Sequence, residues 1–466
     1  MAPRSCQRHL PEIFQMPRTI HRRPDHGPDL AQWTQGKGMN RIKYLCKKIL
    51  RTPVVLARRL RIACRIRKRT IHVRGKWCIH SYYTTSPFAP DGSGRILLAA
   101  ADLDRNAAEV MIVTDDGKIL HVLPPQPLTE SFWHTGFWQC WSSCGRFVYL
   151  QSGTISRPLT IRHQLSNGER VVLKGDLEGM CPYGETGYSC YHGMLYAAGY
   201  GDGKWKPEMS PVPFLSRDEH GIFNLDFDKR ETRLELSVAQ LLESHPKREL
   251  LHLEEQKLQE RLGAHEGLTL MCYCVRWNPH GSRFLFYFGN HCVSKSRNEP
   301  RIAYVFTADR NLKNITLALD LSFDNFGVHW GWQPCGEKLI GYGPRSDGDE
   351  GMQLAEVSHD GSGYAWLSNH ASGGHPSISP SNPDLIVTDE GGPKHGNIVF
   401  ISKSSGKVIH REPMPKFRDL AEPDGRNPMR VCHHPVFNRE GDMVLCNSLP
   451  SQHASIALLK LPSKMR

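Results

Sequence analysis

The sequence repeats a short unit that consists of an apolar or aromatic strand, a tight turn and a second apolar strand. The turn is of the type [S/N/A]-P-x-G or close to it, as in WNPHGSRFLFYF, which begins at Trp277. Seven copies occur, with turns near positions 92, 145, 193, 281, 336, 382 and 441. Most copies are followed by a second turn signal, for example SNGE near 166 and SHDG near 358. Each repeat therefore predicts two β-hairpins.

Two hairpins in each repeat predict a four-stranded sheet, and intervals of roughly 45–60 residues between most copies suit such a unit. A sheet with two apolar faces has to stack on a neighbour, and a closed ring removes the exposed sheet edges. We therefore predict an all-β fold, a seven-bladed β-propeller that spans residues 75–466. The third copy, YHGMLYAAGY, is irregular, so six and eight blades remain alternatives. The wide interval after it contains a charged stretch with helical periodicity, which predicts a helical insertion at about 237–266.

The net charge of +12 is concentrated near the N-terminus. Residues 1–70 hold 18 basic and three acidic side chains, a net charge of +15, so the rest of the chain carries −3. We predict a basic N-terminal arm, residues 1–74, that is disordered or partly helical. The slightly acidic propeller body is not expected to bind nucleic acid. The arm is either a solvated tail or a segment that contacts nucleic acid or an anionic membrane surface, and Met39 is an alternative start.

No transmembrane segment is expected, since the longest uncharged apolar run in the arm, TPVVLA, is too short for a membrane span. The chain has fourteen cysteines but no CxxC pair, and its size argues against a disulfide scaffold. Reduced, buried thiols are the expected state of these side chains. We predict a cytoplasmic protein, with the periplasm and secretion as alternatives.

Three histidines stand at the same offset from the repeated turn. His329, His375 and His434 each lie three residues before the Trp, Ile or Phe that opens the turn in their copy. Equal offsets in a ring of repeats place side chains at equivalent positions, so we expect these imidazoles to converge near the axis. Together with Cys432 they are the predicted ligands of a divalent metal, Zn²⁺ or Mn²⁺. The alternative is a structural role, in which each imidazole bonds to backbone or to a carboxylate.

In stretches such as FWHTGFWQCW, VRWNPHGSRFLFYF, VHWGWQPCGEKL, GHPSISPSNPDLIVTD and VCHHPVF, the chain resembles a group of seven-bladed polysaccharide lyases. This group contains the oligogalacturonate lyases and, more distantly, the ulvan lyases, and the resemblance covers most of residues 80–462. In that group, a histidine before the blade tryptophan and a histidine-rich segment before the last blade contribute to a divalent-metal site. The resemblance implies that His329, Cys432 and His434 are metal ligands, and His375 matches members with Gly-His before the turn.

Two positions depart from the pattern of that group. Cys274, in MCYCVRW, stands at the offset of the proposed catalytic histidine of the oligogalacturonate lyases, and Met429 is the nearest match to a glutamine-type metal ligand. A thiol, with an ordinary pKa of about 8.5, is not an obvious substitute for the general base of a sugar lyase. Either the chemistry has moved to other residues or the activity is absent.

β-Elimination of a uronate requires a cation at the carboxylate, a base for the C5 proton and an acid for the leaving oxygen. Arg430 or a metal is the candidate for the first task. His134, Tyr191 and His192 are the candidates for the two proton transfers, since the resemblance to ulvan lyases implies a His/Tyr arrangement. The alternative for Tyr191 is aromatic packing within its blade.

Two functions follow from the sequence. The first is a metal-dependent, lyase-like protein that carries out β-elimination on uronate-containing oligosaccharides, with an acidic oligosaccharide as its ligand. The second is a non-catalytic propeller that binds a glycan or a protein. The equal offsets of the three histidines favour the first, whereas Cys274 and Met429 favour the second.

Overall fold

A computed structural model describes the ranges 65–128, 132–154, 157–184, 187–190, 216–290, 297–345, 351–391, 395–415, 431–449 and 454–466. Most of the predicted arm lies outside these ranges. So do four residues named in the sequence analysis: Tyr191, His192, Met429 and Arg430.

The described strands form seven antiparallel sheets, which we number as blades 1–7, and the predicted seven-bladed β-propeller is confirmed. Blade 1 contains β2 (Trp77–Ile79), β3 (Ile96–Asp102), β4 (Ala107–Val113) and β5 (Ile119–Val122), with β6 (Gln126–Pro127) also paired to β4. Blade 2 contains β7 (Cys140–Trp141), β8 (Phe147–Thr154), β9 (Arg157–Gln164) and β10 (Arg170–Lys174). Blade 3 contains β11 (Gly187–Ser189), β12 (Gly221–Asp226) and β13 (Glu231–Ser237).

Blades 4 to 6 each have four strands in chain order. Blade 4 contains β14 (Met271–Trp277), β15 (Arg283–Gly289), β16 (Ala303–Asp309) and β17 (Thr316–Asp320). Blade 5 contains β18 (Val328–Trp332), β19 (Lys338–Pro344), β20 (Met352–Ser358) and β21 (Ala365–Ser368). Blade 6 contains β22 (Ser377–Ile378), β23 (Leu385–Glu390), β24 (His395–Ser402) and β25 (Val408–Pro415).

Blade 7 is built from both ends of the described chain. Its strands are β26 (Val436–Phe437), β27 (Met443–Ser448), β28 (Ser455–Lys460) and β1 (Arg67–Ile71), in that order across the sheet. The pairing of β1 with β28 runs from Arg67 opposite Lys460 to Ile71 opposite Ile456. Residues 67–71, which the sequence analysis assigned to the arm, are therefore a strand of the propeller, and this strand joins the two ends of the ring.

The burial of each strand follows its place in the blade. Strands in the middle of a blade are apolar on both faces because each face packs against a neighbouring blade, and all of β15 except Arg283 is buried. The fourth strand faces solvent on one side, so β10 alternates between exposed and buried residues. First strands of adjacent blades touch, as β14 and β18 do and as β22 and β26 do. Residues next to the first strands can therefore meet across blade boundaries.

In the described ranges, three α-helices lie outside the sheets, α1 (Phe132–Thr135), α2 (Val238–Glu243) and α3 (Arg248–Leu262), together with a 3₁₀ helix at Ser463–Met465. The helices α2 and α3 fall within the predicted insertion. Ser237 begins α2 through a capping box with Gln240, and the buried leucines of both helices join the core cluster of blade 4. Among the described residues, no helix has the length and apolar character needed to cross a membrane. The ten cysteines in the described ranges are free thiols, and seven of them are buried.

Candidate metal centre

Four residues at the repeated offset share an unusual backbone conformation. Trp138, Cys274, His329 and His434 each lie three residues before the aromatic that opens the turn, and their φ angles are 51°, 57°, 59° and 47°. Non-glycine residues rarely adopt this left-handed conformation. In blades 4 and 5 the strand register shifts at the same point, which marks a β-bulge. A bulge redirects a side chain, so the repeat supplies a backbone device that orients one residue in each of these blades.

Five imidazoles meet beside the first strands, and we call this group the histidine cluster: His80, His134, His329, His375 and His434. The ring centroids are 4.1 Å apart for His329 and His375, 4.3 Å for His375 and His434, and 4.9 Å for His134 and His434. His80 lies 6.2 Å from His434. The three histidines with equal offsets are therefore neighbours in space, together with one from blade 1 and one from α1.

Hydrogen bonds at Nδ1 hold two of these rings. His329 Nδ1 donates to the carbonyl oxygens of Gly373 and Gly374, at 2.8 and 2.9 Å. His375 Nδ1 donates to the carboxylate of Asp389, at 2.9 and 3.1 Å. A proton on Nδ1 leaves Nε2 as the atom with a lone pair, and this is how proteins orient histidine ligands of metals. The buried Nε2 of His375 has no hydrogen-bond partner within the described ranges.

His434 is fully buried, and neither of its ring nitrogens has a hydrogen-bond partner among the residues described. An imidazole without partners in a dry environment is costly unless some group binds it. Burial, and then the neighbouring His375, holds the pKa of His434 well below its ordinary value. Burial likewise lowers the pKa of His329 and brings that of His80 to about 4. These imidazoles are therefore neutral at physiological pH, which is the form that binds metals.

Cys432 brings a thiol to one side of the cluster. The candidate ligand atoms of His134, Cys432 and His434 all lie within 4.8 Å of one another. His329 and His375 are not members of this group of three. Burial would raise the pKa of Asp389, but His375 holds it below its ordinary value, so a negative charge lies against His375.

Two tyrosines that the sequence analysis did not identify fill the centre of the cluster. The Tyr82 ring lies 4.6 Å from His434, 5.4 Å from His375 and 4.8 Å from Tyr83. Burial raises the pKa of both phenols well above the ordinary value. Neither tyrosine occupies the repeated offset, so the repeats gave no signal for them. The adjacent pair beside His80 in HSYY was the available signal.

A buried ion pair underlies the tyrosines. Arg276 Nε donates to Glu178 Oε1 at 2.6 Å, and these side chains are 5% and 2% exposed. Arg276 Nη1 donates to the Tyr83 hydroxyl at 3.2 Å and to the carbonyl oxygen of Trp330. Although burial opposes it, Glu178 holds the pKa of Arg276 well above its ordinary value. Cys274 is close enough to Tyr82 to contribute to its raised pKa.

The structure thus brings together five of the residues named from the sequence: His134, His329, His375, Cys432 and His434. The other three, Tyr191, His192 and Arg430, lie outside the described residues. Sequence reasoning missed His80, Tyr82, Tyr83, Arg276, Glu178 and Asp389. His80, Tyr82 and Tyr83 are neighbours in HSYY, whereas Glu178, Arg276 and Asp389 are far apart along the chain, and no periodicity relates them.

An open cleft adjoins the cluster on the side of blades 5 and 6. Its volume is about 620 Å³, and its lining includes Ser372, His370, Glu390 and Arg411. Ser372 Oγ donates to the carbonyl oxygen of Asp389 at 3.0 Å. The cleft and the histidine cluster therefore share the segment that precedes β22.

Solved structures of two oligogalacturonate lyases are similar to this chain. The enzyme from Vibrio parahaemolyticus is 13% identical, with a TM-score of 0.55, and the match covers 86% of this chain and 98% of that one. An oligogalacturonate lyase solved in complex with manganese is 12% identical, with a TM-score of 0.56, and the match covers 86% and 97%. No protein-family model matches the sequence, and no curated protein does either. The described chain therefore has the seven-bladed propeller fold of these lyases.

Proposed function

We propose that this chain is a divalent-metal-dependent, lyase-like protein that carries out β-elimination on uronate-containing oligosaccharides. The observation that carries the proposal is the convergence of neutral imidazoles whose Nε2 atoms are left available by bonds at Nδ1. The similar fold of an oligogalacturonate lyase solved with manganese supports the same conclusion.

The proposed metal ligands are His329, His375, Cys432 and His434. One ring nitrogen of buried His434 and the Nε2 of His375 fit such an ion, because a metal would satisfy atoms that otherwise have no partner in the described residues. When bound, a divalent cation neutralises a uronate carboxylate and so acidifies the proton at C5. Asp389 holds His375 in one orientation, and the glycine carbonyls do the same for His329.

Proton transfer is assigned to groups around this centre. His134, Tyr191 and His192 are the proposed acid and base, and Arg430 is a proposed partner of the substrate carboxylate. Tyr82 joins them because its phenol lies among the rings, and its raised pKa keeps it protonated and able to donate at neutral pH.

The cleft beside Ser372 is the proposed path of the oligosaccharide. Its lining combines hydroxyl, imidazole and carboxylate groups with Arg411, which is half exposed. Hydroxyl-rich ligands need such mixed donors and acceptors. Arg411 is paired with Glu390 through Nε at 3.0 Å, and the exposed part of its guanidinium is the proposed contact for an acidic sugar.

A second function, binding of a glycan or protein without catalysis, is favoured by one observation. Cys274 has the same backbone conformation as His329, so a histidine would suit that place, yet the chain has a buried thiol there. A propeller that only binds its ligand needs no base at this position.

Metal content and product formation test both functions. The full chain is stripped with a chelator, reloaded and analysed by mass spectrometry, beside His434→Ala and a control, His252→Ala, in which an exposed histidine of α3 is removed. We expect about one ion per chain in the wild type and control and a large loss in His434→Ala.

The same samples are then incubated with uronate polymers, and the ultraviolet absorbance of unsaturated products is followed. Metal-dependent product formation supports the lyase. Bound metal without product from any uronate polymer favours the non-catalytic function. Absence of metal from the wild type overturns the proposal.

A further inference from the structure

A chain of hydrogen-bonding side chains lies at the open cleft that adjoins the histidine cluster. We propose that this group is a serine hydrolase site for carboxylic esters, formed by Ser372, Tyr342, His370 and Glu390. It would be a second activity, beyond the one proposed above. Only the identity of the alcohol, a hydroxyl-rich saccharide, rests on the proposed function.

Consecutive members of this group are one hydrogen bond apart. Ser372 Oγ lies 3.0 Å from the Tyr342 hydroxyl oxygen, which lies 3.0 Å from His370 Nδ1. On the other side of the ring, His370 Nε2 lies 3.0 Å from Glu390 Oε2. The direct distance from Ser372 Oγ to His370 Nδ1 is 3.5 Å. A hydroxyl, a base and a group that orients the base, all within reach of one another, are the elements of nucleophilic catalysis.

The carboxylate of Glu390 determines which nitrogen of His370 carries the proton. Asn397 donates to Glu390 Oε1 at 2.7 Å and Arg411 donates to the same oxygen at 3.0 Å, so Oε2 is left for His370. Burial would raise the pKa of Glu390, but the bond from His370 holds it below its ordinary value. The ionised carboxylate therefore accepts the proton of Nε2, and Nδ1 keeps the lone pair that a base needs.

The hydroxyl of Ser372 is exposed and has a route for its proton. In the structure it donates to the carbonyl oxygen of Asp389 at 3.0 Å, and rotation about one C–O bond turns the proton toward Tyr342. Burial raises the pKa of Tyr342 to about 12, so the phenol is protonated at neutral pH. It therefore passes a proton to His370 only as it receives one from Ser372.

Backbone groups beside Ser372 suit the negative charge that develops on the carbonyl oxygen during attack. The N–H groups of Ser372 and Gly373 form no backbone hydrogen bond among the described residues. The carbonyl oxygens of Gly373 and Gly374 accept from His329, which anchors the segment that follows the nucleophile. Free N–H groups at the nucleophile are typical donors of an oxyanion hole.

Hydrolysis takes two steps, with water as the second reactant. Ser372 Oγ attacks the acyl carbon, its proton passes through Tyr342 to His370, and the bond from the acyl carbon to the alcohol oxygen breaks. The leaving oxygen takes the proton from His370, and an acyl-serine remains. Water then attacks the acyl carbon and gives a proton to His370, which returns it to Ser372 Oγ as the carboxylic acid leaves. One ester and one water become one acid and one alcohol.

The lining of the cleft indicates a small acyl group on a polar alcohol. The cleft has a volume of about 620 Å³, and only Ala371 and Val408 among its lining side chains are apolar. A long acyl chain needs a larger apolar wall, whereas an acetyl group does not. The expected substrates are therefore acetyl esters of hydroxyl-rich saccharides.

Labelling of the full wild-type chain is the first test. A fluorophosphonate probe forms a stable adduct with an activated serine, and peptide mass spectrometry identifies the modified residue. We expect one adduct per chain, at Ser372, and hydrolysis of p-nitrophenyl acetate. Since no variant is needed, the result does not depend on whether a mutant folds. Absence of an adduct, or adducts spread over several serines, overturns the proposal.

Variants then assign the roles. The rate of p-nitrophenyl acetate hydrolysis should fall by about 100-fold or more in each of Ser372→Ala, Tyr342→Phe, His370→Gln and Glu390→Gln. Matched controls at exposed positions of other blades, Ser93→Ala and His252→Gln, should keep the wild-type rate. Glu390 acts by positioning His370, so Glu390→Asp, which keeps the charge, should recover part of the rate that Glu390→Gln loses.

Circular dichroism verifies that each variant is folded. Folded Ser372→Ala or His370→Gln with the wild-type rate overturns the proposal.

Measurements in a chelator separate this activity from the proposed function. Because none of these steps uses a metal, the stripped chain should still react at Ser372 and hydrolyse the ester, but should form no unsaturated product. Labelling and ester hydrolysis without lyase activity under any metal keep the esterase and remove the lyase. Metal-dependent unsaturated products without labelling of Ser372 keep the lyase and overturn the esterase.

Discussion

The first strands of blades 4 and 5 have the same backbone and different chemistry. Cys274 on β14 and His329 on β18 have φ angles of 57° and 59°, and the strand register shifts at both. One presents a buried thiol and the other an imidazole of the histidine cluster. The comparison teaches that the repeat provides the bulge, whereas a single residue decides whether the bulge contributes an imidazole to the histidine cluster.

The two blades also depend on each other. Both backbone groups of Trp330, the residue after His329, are bound by side chains of blade 4. Its N–H donates to the Tyr287 hydroxyl at 2.9 Å, and its carbonyl oxygen accepts from Arg276. Blade 4 therefore braces the bulge that positions His329, although it contributes no imidazole itself.

Removing the negative charge of Glu178, which pairs with Arg276, should have the largest effect on stability. Glu178→Gln leaves Arg276 charged and buried without its partner, so we expect a loss of about 3–5 kcal/mol in the free energy of unfolding. Urea denaturation measures it. Asp115→Asn, which breaks an exposed pair with Arg69, is the control and should cost about 1 kcal/mol or less. If Glu178→Gln costs no more than the control, the pair is not a brace.

The buried imidazoles of the histidine cluster should make the stability of the protein decrease in acid. The pKa of His80 is about 4 in the folded state, against about 6.5 when unfolded, so the unfolded chain binds more protons between these values. Stability is therefore greatest above about pH 6.5 and falls as the pH decreases to about 4, by on the order of 3 kcal/mol from this group.

Unfolding of the metal-free protein at several pH values measures this loss. His80→Gln should make the pH dependence shallower, whereas His252→Gln, on the surface of α3, should leave it unchanged. An equal slope in the wild type and His80→Gln would contradict the assignment.

Loss of the hydroxyl that binds Trp330 should have a smaller effect. Tyr287→Phe leaves a buried N–H without an acceptor and should cost about 1–3 kcal/mol. Because the bulge then loses its support, the metal affinity should fall as well. Tyr183→Phe, at an exposed position, is the control for removal of a hydroxyl. A stability cost without any change in metal affinity would show that the bulge holds without blade 4.

The smallest expected effect comes from glycine and alanine variants at His329 and His375, which distinguish backbone strain from the loss of the imidazole. The variant His329→Gly should be more stable than His329→Ala by about 1 kcal/mol, because an L-residue is strained at a φ of 59°. The φ of His375 is not in the left-handed region, so His375→Ala should be more stable than His375→Gly by about 0.5–1 kcal/mol. Thermal unfolding of the four variants tests this, and the same order at both positions would contradict it.

The repeats explain why so much of the ring could be predicted. Each turn marks a blade, and an equal offset in a ring becomes proximity in space, which is why His329, His375 and His434 were predicted together. His134 reaches the cluster by another route, since Trp138 occupies the offset in blade 2 and His134 comes from α1. The pairing of Arg276 with Glu178 joins blade 4 to the connection between blades 2 and 3, and only the three-dimensional arrangement shows it.

The start of the propeller was missed for a similar reason. In RKRTI, four of the five residues are exposed, and the basic composition indicates a tail rather than a strand. What makes it a strand is its partner β28, at the opposite end of the described chain.

That pairing has a consequence for the order of events during synthesis. The residues of β1 leave the ribosome before those of any other described strand, but their partner is made after six blades have emerged. Until then, one face of blade 1 lacks the blade that packs against it, and β1 has no strand to pair with. Unpaired strands and uncovered apolar faces attract other chains. The residues of β1 therefore stay unpaired until the last blade has been synthesised. The positive charges of Arg67, Lys68 and Arg69 oppose aggregation of this strand during that time.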